Sequence, residues 1–301
     1  MKELSICIPV YNQRVTQLVT TLHQQAQSCP DLTFEIVVAD DHSPLYEEEN
    51  RAALSDMPDV RYSSLPANSG RAHIRNYLAQ QARYNRLLLL DCDTTPPDSL
   101  YISRYLQAMD HDIVVGGCTY DSTPPDTHHL LRWKYGLKYE SRTADERNAD
   151  ANKGISTFNF MIRRDLLLHI PFNETISKYG HEDTLLGWDM KQAGYVIFHI
   201  NNPLIHLGVD DTDSFLQKTD LAVMNLWQLL QNPDCPAALI DSINLLRCYQ
   251  KVKRWHLKTF LTLLTRISRR LTLLNLESGH PLIPLFQWYK LGRLLEISAK
   301  A

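Results

Sequence analysis

A chain of 301 residues is long enough for one large α/β domain with an appendage, or for two modest domains. Its 44% hydrophobic and 22% charged residues exclude a disordered, collagenous or disulfide-scaffold protein. The net charge of −3 does not nominate nucleic acid as a partner, but it hides a split. Residues 247–301 hold eleven Lys and Arg against Glu277 and Glu296, a net of +9, which leaves −12 for the first 246.

The opening MKELSICIPVYNQ has no apolar core followed by a small-residue cleavage site, so no signal peptide is expected. Nowhere do about 18 apolar residues run together, as a membrane-spanning helix requires. Cys7, Cys29, Cys92, Cys118, Cys235 and Cys248 are scattered without a CxxC pair. They read as reduced, mostly buried thiols of a cytoplasmic protein, not as a zinc site.

Strand and helix patterns alternate through the first 120 residues. LSICIPV (4–10) is a strand-length apolar run, and residues 15–27 repeat Val15, Leu18, Val19, Leu22 and Ala26 at helical spacing. FEIVVAD (34–40), VRYSS (60–64), RLLLLD (86–91) and DIVVGG (112–117) follow as strands, with a helix over RAHIRNYLAQQA (71–82). Continuous apolar strands joined by helices imply a mostly parallel sheet covered on both faces. Ligands of such sheets bind beyond the carboxyl ends of the strands, so polar residues there become the candidates. Residues 121–153 are rich in Pro, His, Asp, Asn and Arg and read as a long excursion, a candidate lid. STFNFMIRR (156–164) returns to strand, EDTLLGWDMKQAG (182–194) predicts a helix stopped by Gly194, and YVIFHI (195–200) predicts a strand. Beyond residue 212 the texture is helical. The expected division is therefore 1–211, with a nucleotide half 1–120 and an acceptor half 121–211, followed by a basic helical region 212–301.

The sharpest local signal is LLLLDCDTT, which delivers Asp91 and Asp93 to the end of a buried strand. Two carboxylates there repel, and a cation relieves them. Hard oxygen ligands suit Mg²⁺ or Mn²⁺. The competing reading has one Asp capping a turn and the other solvated. Asp40 and Asp41 end the second strand before His42 and Ser43, either as ligands of a base or ribose or as a capped turn. NSGRAHIRN (68–76) sets Asn68 and Gly70 before a helix that carries Arg75, suited to phosphate, to carboxylate or to plain solvation. YGHEDTLLGW (179–188) puts Glu182 and Asp183 at a helix start, where the dipole favours carboxylates and where one of them could act as a general base. His206 in PLIHLG is a candidate metal ligand or a structural histidine.

Taken in order, these motifs resemble the inverting family 2 glycosyltransferases of the GT-A fold. The resemblance rests on Ile8-Pro9-Val10-Tyr11-Asn12, on Asp40-Asp41-His42-Ser43 (the family's DDxS), and on Asn68-Ser69-Gly70-Arg71 with Arg75-Asn76. Asp91-Cys92-Asp93 (DxD) and the acidic pair Glu182-Asp183 complete it, over residues 4–207. His73-Ile74 stand where the family usually has small residues. The resemblance implies a nucleotide bordered by Pro9 and Tyr11, with Asp41 at the uracil and Asn68 and Gly70 lining the same site. Arg75 would lie near base and phosphates, and Asp91 towards ribose or metal. It further implies Mn²⁺ or Mg²⁺ on Asp93 with His206, and Asp183 as the base beside Glu182. Expected partners are a nucleotide-sugar donor, UDP-linked by resemblance, and a glycan or lipid-linked acceptor in surface polysaccharide or glycoconjugate synthesis. Processive members carry QxxRW after the acidic pair. Here Gln250 to Trp255 has one residue too many and sits far downstream, which implies addition of a single sugar.

VKRWHLKTFLTLLTRISRRLTLL (252–274) mixes Lys and Arg with Leu, Phe and Trp at helical spacing. It reads as a peripheral membrane anchor within 247–301, or as an appendage packing on the body or on a second subunit. Two other classes compete with a transferase. DCDTT also resembles the first motif of haloacid-dehalogenase-type phosphatases, with Asp91 as nucleophile, Asp93 as acid/base and Asp210-Asp211 holding Mg²⁺. The other is a non-catalytic subunit of a glycan-assembly complex. No GxGxxG follows the first strand, which disfavours a nicotinamide dehydrogenase.

Overall fold

The structure, a computed structural model, describes residues 1–152, 155–175 and 180–300. Four apolar runs form β1 (Lys2–Val10), β2 (Leu32–Asp40), β3 (Val60–Ser64) and β4 (Arg86–Leu90). They are joined by α1 (Thr16–Gln27), α2 (Glu47–Leu54) and α3 (Arg71–Gln81). The pairs β1–β2, β2–β3 and β1–β4 are all parallel. After β4 come the two-residue β5 (Thr94–Thr95), α4 (Tyr101–Gln107), β6 (Ile113–Val115) and β7 (Cys118–Thr119). Next are α5 (Leu130–Tyr139), α6 (Ala144–Asn148), β8 (Asn159–Arg163), α7 (Arg164–His169) and α8 (Glu182–Gln192). The strands end with β9 (Phe198–His199) and β10 (Leu204–His206).

Among the described residues the main sheet has the order β3-β2-β1-β4-β8-β6-β9. It is mostly parallel, and β8 runs antiparallel to both of its neighbours. Alternation along β1 sends Leu4, Ile6 and Ile8 into one layer with α1 and α4, and Cys7 into the other with α3, α7 and α8. Each fully buried aliphatic side chain there contributes about 1.5–3 kcal/mol of transfer free energy. A second, three-stranded sheet, β5-β10-β7, extends the carboxyl rim.

The chain divides into two units. The first holds Met1–Asp121, the stretch that begins at Tyr139, and Glu182–Gly208. The second holds Ser122–Lys138, Gly180 and His181, and the chain from Val209 on. It is built from α9 (Thr212–Gln231), α10 (Ala237–Ser242), α11 (Asn244–Arg254), α12 (Lys258–Leu276) and α13 (Ile283–Lys300). Asp211 caps α9 by accepting the Ser214 N–H at 2.8 Å. Leu226, Leu246, Leu294 and Leu295 centre one of its cores, and Leu131, Leu276 and Phe286 another.

Several expectations are corrected. The stretch 121–152 holds α5 and α6 instead of an irregular excursion, and α6 begins with a reciprocal Thr143–Glu146 capping box. Residue 153, the last of that excursion, lies outside the described residues. YVIFHI pairs only through Phe198 and His199, because Val196 is exposed and the run sits at the sheet edge. The six cysteines are unpaired, but only Cys7 and Cys118 are buried.

One buried side chain ties the two sheets together. Asn159, at the start of β8, accepts hydrogen bonds from the Tyr101 and Tyr105 hydroxyls at 2.7 Å each. It donates to the carbonyls of Gly117 at 2.8 Å and Asn202 at 2.9 Å. A Cβ on Gly116 would fall 2.6 Å from the Asn159 amide, so the close approach requires glycine. Asn159→Ala takes the bond from the buried Tyr101 hydroxyl and Asn202 carbonyl and one of two bonds from the Tyr105 hydroxyl and the Gly117 carbonyl, and we expect a loss of about 3 kcal/mol in urea unfolding. A loss under about 1 kcal/mol would show that the junction is held by other contacts.

Candidate active site

The carboxyl ends of β1, β2 and β4 share one rim, and the loops leaving them carry the polar residues. β1 pairs with β4 only through Cys7, so Pro9 lies where that side of the strand is already open. Tyr11, just beyond, is half exposed. Asn12 adopts a left-handed φ of 54° and takes a 2.9 Å bond from its own N–H to Ser43 Oγ, which ties the first loop to the second.

Asp40 and Asp41 hold the rim from within. Asp40 accepts the Ser43 N–H at 2.6 Å and the Tyr62 hydroxyl at 3.0 Å. Asp41 accepts the Ser69 N–H and Oγ at 2.7 Å and the Gly70 N–H at 2.9 Å, while Asn68 donates to the Asp41 carbonyl at 3.2 Å. Asp41 thereby fixes the loop into α3. Gly70 enters that helix with φ +86°, a conformation that disfavours any side chain. Asp41 retains room for about one further hydrogen bond.

Arg71 and Arg75, one turn apart on α3, meet the carboxylates. Arg75 is buried and donates to Asp91 Oδ1 at 2.5 Å, and Arg71 lies 3.5 Å from Asp91 Oδ2. Both guanidinium groups stand 3.7 Å from Glu182 Oε1. Asp91 and Glu182 are therefore shared counter-ions of one arginine pair. Asn76, on the same helix, exchanges hydrogen bonds with the backbone of Phe172 at 2.9 Å and fixes the chain ahead of α8.

Asp183 is different. Among the described residues it accepts one hydrogen bond, from the Thr184 N–H at 2.8 Å. Burial and the neighbouring Glu182 carboxylate push its pKa up to about 7, against the opposing pull of Arg75 and Arg71. Tyr179, the first residue of the YGHEDTLLGW motif, and residues 176–178 lie outside the described residues.

Asp93 and His206 form a second focus. The β10–β5 register pairs His206 with Thr94, and the Leu207 N–H reaches the Asp93 carbonyl at 2.8 Å. This sets His206 Nε2 3.6 Å from Asp93 Oδ2. The imidazole stacks on Phe158 at 5.3 Å, with Tyr120 at 5.5 Å. Asp93 Oδ1 is buried and has no hydrogen-bond partner among the described residues. Burial raises the Asp93 pKa, opposed by His206 and reinforced by Asp91. No three His, Cys, Asp or Glu side chains converge on one point among the described residues. A cation here would thus take most of its ligands from outside the protein.

Residues 5–170 match the model of glycosyl transferase family 2, more than half of the chain. The chain belongs to that family. A 129-residue stretch is 29% identical to chondroitin synthase of Escherichia coli, covering 42% of this chain but 18% of the relative. Three solved structures share the fold. A mannosyltransferase of Pyrobaculum calidifontis, solved with GDP-Man and Mn²⁺, covers 99% of this chain and 86% of its own, with 14% identity and TM-score 0.56. Residues 1–349 of TarS from S. aureus, solved with UDP-GlcNAc, cover 100% and 92%, with 17% identity and TM-score 0.52. Glucosyl-3-phosphoglycerate synthase of Mycobacterium tuberculosis, solved with Mn²⁺ and UDP, covers 75% and 80%, with 16% identity and TM-score 0.51. The fold of this family 2 glycosyltransferase is accordingly GT-A.

The phosphatase reading loses its parts. Both oxygens of Asp91 are engaged by arginine, Asp210 is taken by Lys218 at 2.6 Å, and Asp211 caps α9. Two supporting residues escaped the sequence reading, and a third, Arg71, stood in the Asn68-Ser69-Gly70-Arg71 motif without a role of its own. Asn50 carries the β1–α1 loop through bonds to Val15 N–H and the Gln13 carbonyl, and Asn159 and Arg71 have the roles described above. Of these only Arg71 was legible, as the i, i+4 partner of Arg75.

Arg75→Met would leave Asp91 and Glu182 packed together with one half-exposed arginine. We expect destabilisation of about 3 kcal/mol at neutral pH, shrinking as acid neutralises the carboxylates. Equal losses at pH 4 and pH 7 in chemical denaturation would refute that account of the pair.

Proposed function

We propose that this enzyme transfers one sugar from a UDP-sugar to a glycan hydroxyl with inversion, aided by Mn²⁺ or Mg²⁺. The observation that carries the metal is the buried Asp93 Oδ1, without a partner among the described residues and next to His206. A carboxylate and an imidazole on one edge suit a divalent cation whose other positions are filled by diphosphate oxygens and water. Bound there, such a cation would offset charge on the departing diphosphate. The kinship to chondroitin synthase and the UDP and UDP-GlcNAc carried by two of the similar structures favour a uridine nucleotide over GDP.

Within this reading, Pro9 and Tyr11 border the base, and Asp41 offers its remaining acceptor to the uracil while pinning Asn68 and Gly70. Asp91, held by Arg75, faces the ribose. Glu182 is committed to the arginines and positions them. Asp183 is free of any such tie and takes the acceptor proton while the hydroxyl oxygen attacks the anomeric carbon. Attack comes from the face opposite the diphosphate, so one displacement inverts the centre. A base with its pKa near the working pH serves this step well. No described helix is long and apolar enough to cross a membrane, which favours addition of a single sugar over coupled extrusion of a polymer.

Titration calorimetry with UDP and GDP, each with Mn²⁺ and with EDTA, tests the assignment. Metal-dependent UDP binding should vanish in Asp93→Ala and persist in Asp183→Asn, whose turnover should fall about a thousandfold. Failure of folded protein to bind either nucleotide would overturn the reading. Because Asp183 must be ionised to accept a proton, kcat/KM should rise tenfold per pH unit below about 7 and level above it. A profile flat from pH 5.5 to 8 would remove Asp183 from the role.

A further inference from the structure

In the helical unit, α12 buries one face and presents an apolar one on the opposite side. Its inner face buries Thr265, Thr272 and Leu276. There it approaches α13 so closely that a Cβ on Gly292 would fall 3.0 Å from Thr265 Cβ. Its outer face carries Phe260, Leu263, Leu264, Ile267, Leu271 and Leu274, all exposed, with Ile267 and Leu271 about as open as any large apolar side chain beyond the N-terminus at 69% and 71%. At ~100° per residue these six fall in an arc of ~100°, one continuous stripe along the helix. Arg266 and Arg270 fall beside one edge of that arc, and both are exposed. Trp255, just before the helix, is 61% exposed, and exposed Lys251, Lys253 and Arg254 precede it.

We propose that the outer face of α12 docks on an anionic lipid surface, with the stripe entering the acyl boundary and the arginines meeting the headgroups. The stripe alone would fit any apolar partner, and the charge selects among them. From residue 251 to 277 the chain carries seven Lys and Arg against Glu277 alone. Two-fold pairing of α12 with a second copy about Ile267 would bring Arg266 and Arg270 of both copies together, a like-charge penalty that an anionic membrane turns into attraction. An exposed Trp and Phe beside cations are the amphipathic composition that settles at a lipid interface. Docking here would hold the enzyme at the membrane without a spanning helix. This inference stands apart from the donor and metal assignments.

The test is co-sedimentation of the 301-residue chain with neutral phosphatidylcholine vesicles and with vesicles one-third phosphatidylglycerol. Wild type should bind the anionic vesicles only, and Ile267→Glu/Leu271→Glu should bind them at least about tenfold more weakly. Arg266→Glu and Arg270→Glu should each weaken binding about fivefold, and added salt should do the same. All four positions are exposed, and circular dichroism verifies that the variants stay folded. Binding by neither vesicle, binding unchanged in the double variant, or a wild-type dimer that the double variant converts to monomer would overturn the proposal. Mn²⁺-dependent UDP binding by the same preparations reports separately on the transferase site.

Discussion

Negative charge gathered at one sheet edge is the constraint around which this molecule is arranged. Strand ends and a helix start bring Asp91, Asp93, Glu182 and Asp183 to the first unit, and bringing carboxylates out of water together is costly unless each finds a partner. The structure resolves the problem in three different ways. Among the described residues, Asp91 and Glu182 share the Arg71–Arg75 pair, Asp93 faces His206 with one oxygen unmatched, and Asp183 accepts a backbone N–H. Those unequal solutions give chemically identical groups different capacities. A carboxylate held by guanidinium groups is fixed in place and charge, one with an oxygen unmatched among the described residues suits a cation, and one with little support holds a proton more readily.

The supporting architecture follows from that division. Asn159 locks the second sheet onto the first, and the β10–β5 register then carries His206 to Asp93. Asp41 spends its carboxylate on the loop that launches α3, and so sets the helix from which both arginines extend. The chemistry of the rim therefore depends on polar side chains buried behind it as much as on those that face it. Removing one of them disturbs several site residues together.

Much of this was legible in the sequence because it is written in local patterns. The apolar runs of β1 to β4 and the 3.6-residue period of α1 and α3 fix their own elements. Asp91-Cys92-Asp93 and Glu182-Asp183 sit at strand and helix ends, where polar residues signal the rim. What escaped is non-local. Asn159 looks like any polar residue opening a strand, and its four partners lie some 40 to 60 positions away. The second sheet consists of two- and three-residue strands that no periodicity reveals. In the 121–152 stretch the aromatic and basic residues of α5 blur its apolar face, although the capping box of α6 stood in plain sight.

The place of β8 in the sheet carries a consequence for biosynthesis. It lies between β4 and β6, yet it follows β6 by more than forty residues. Until Arg163 has left the ribosome, β4 exposes one edge and β6 has neither of its neighbours. A nascent chain at that stage presents open hydrogen-bonding edges on highly apolar strands, the condition under which chains pair with one another. Closure also brings together segments distant along the chain, which slows it. The sheet begun by β1 to β4 is thus completed only by a strand made after β6, and the two segments close in one folding event.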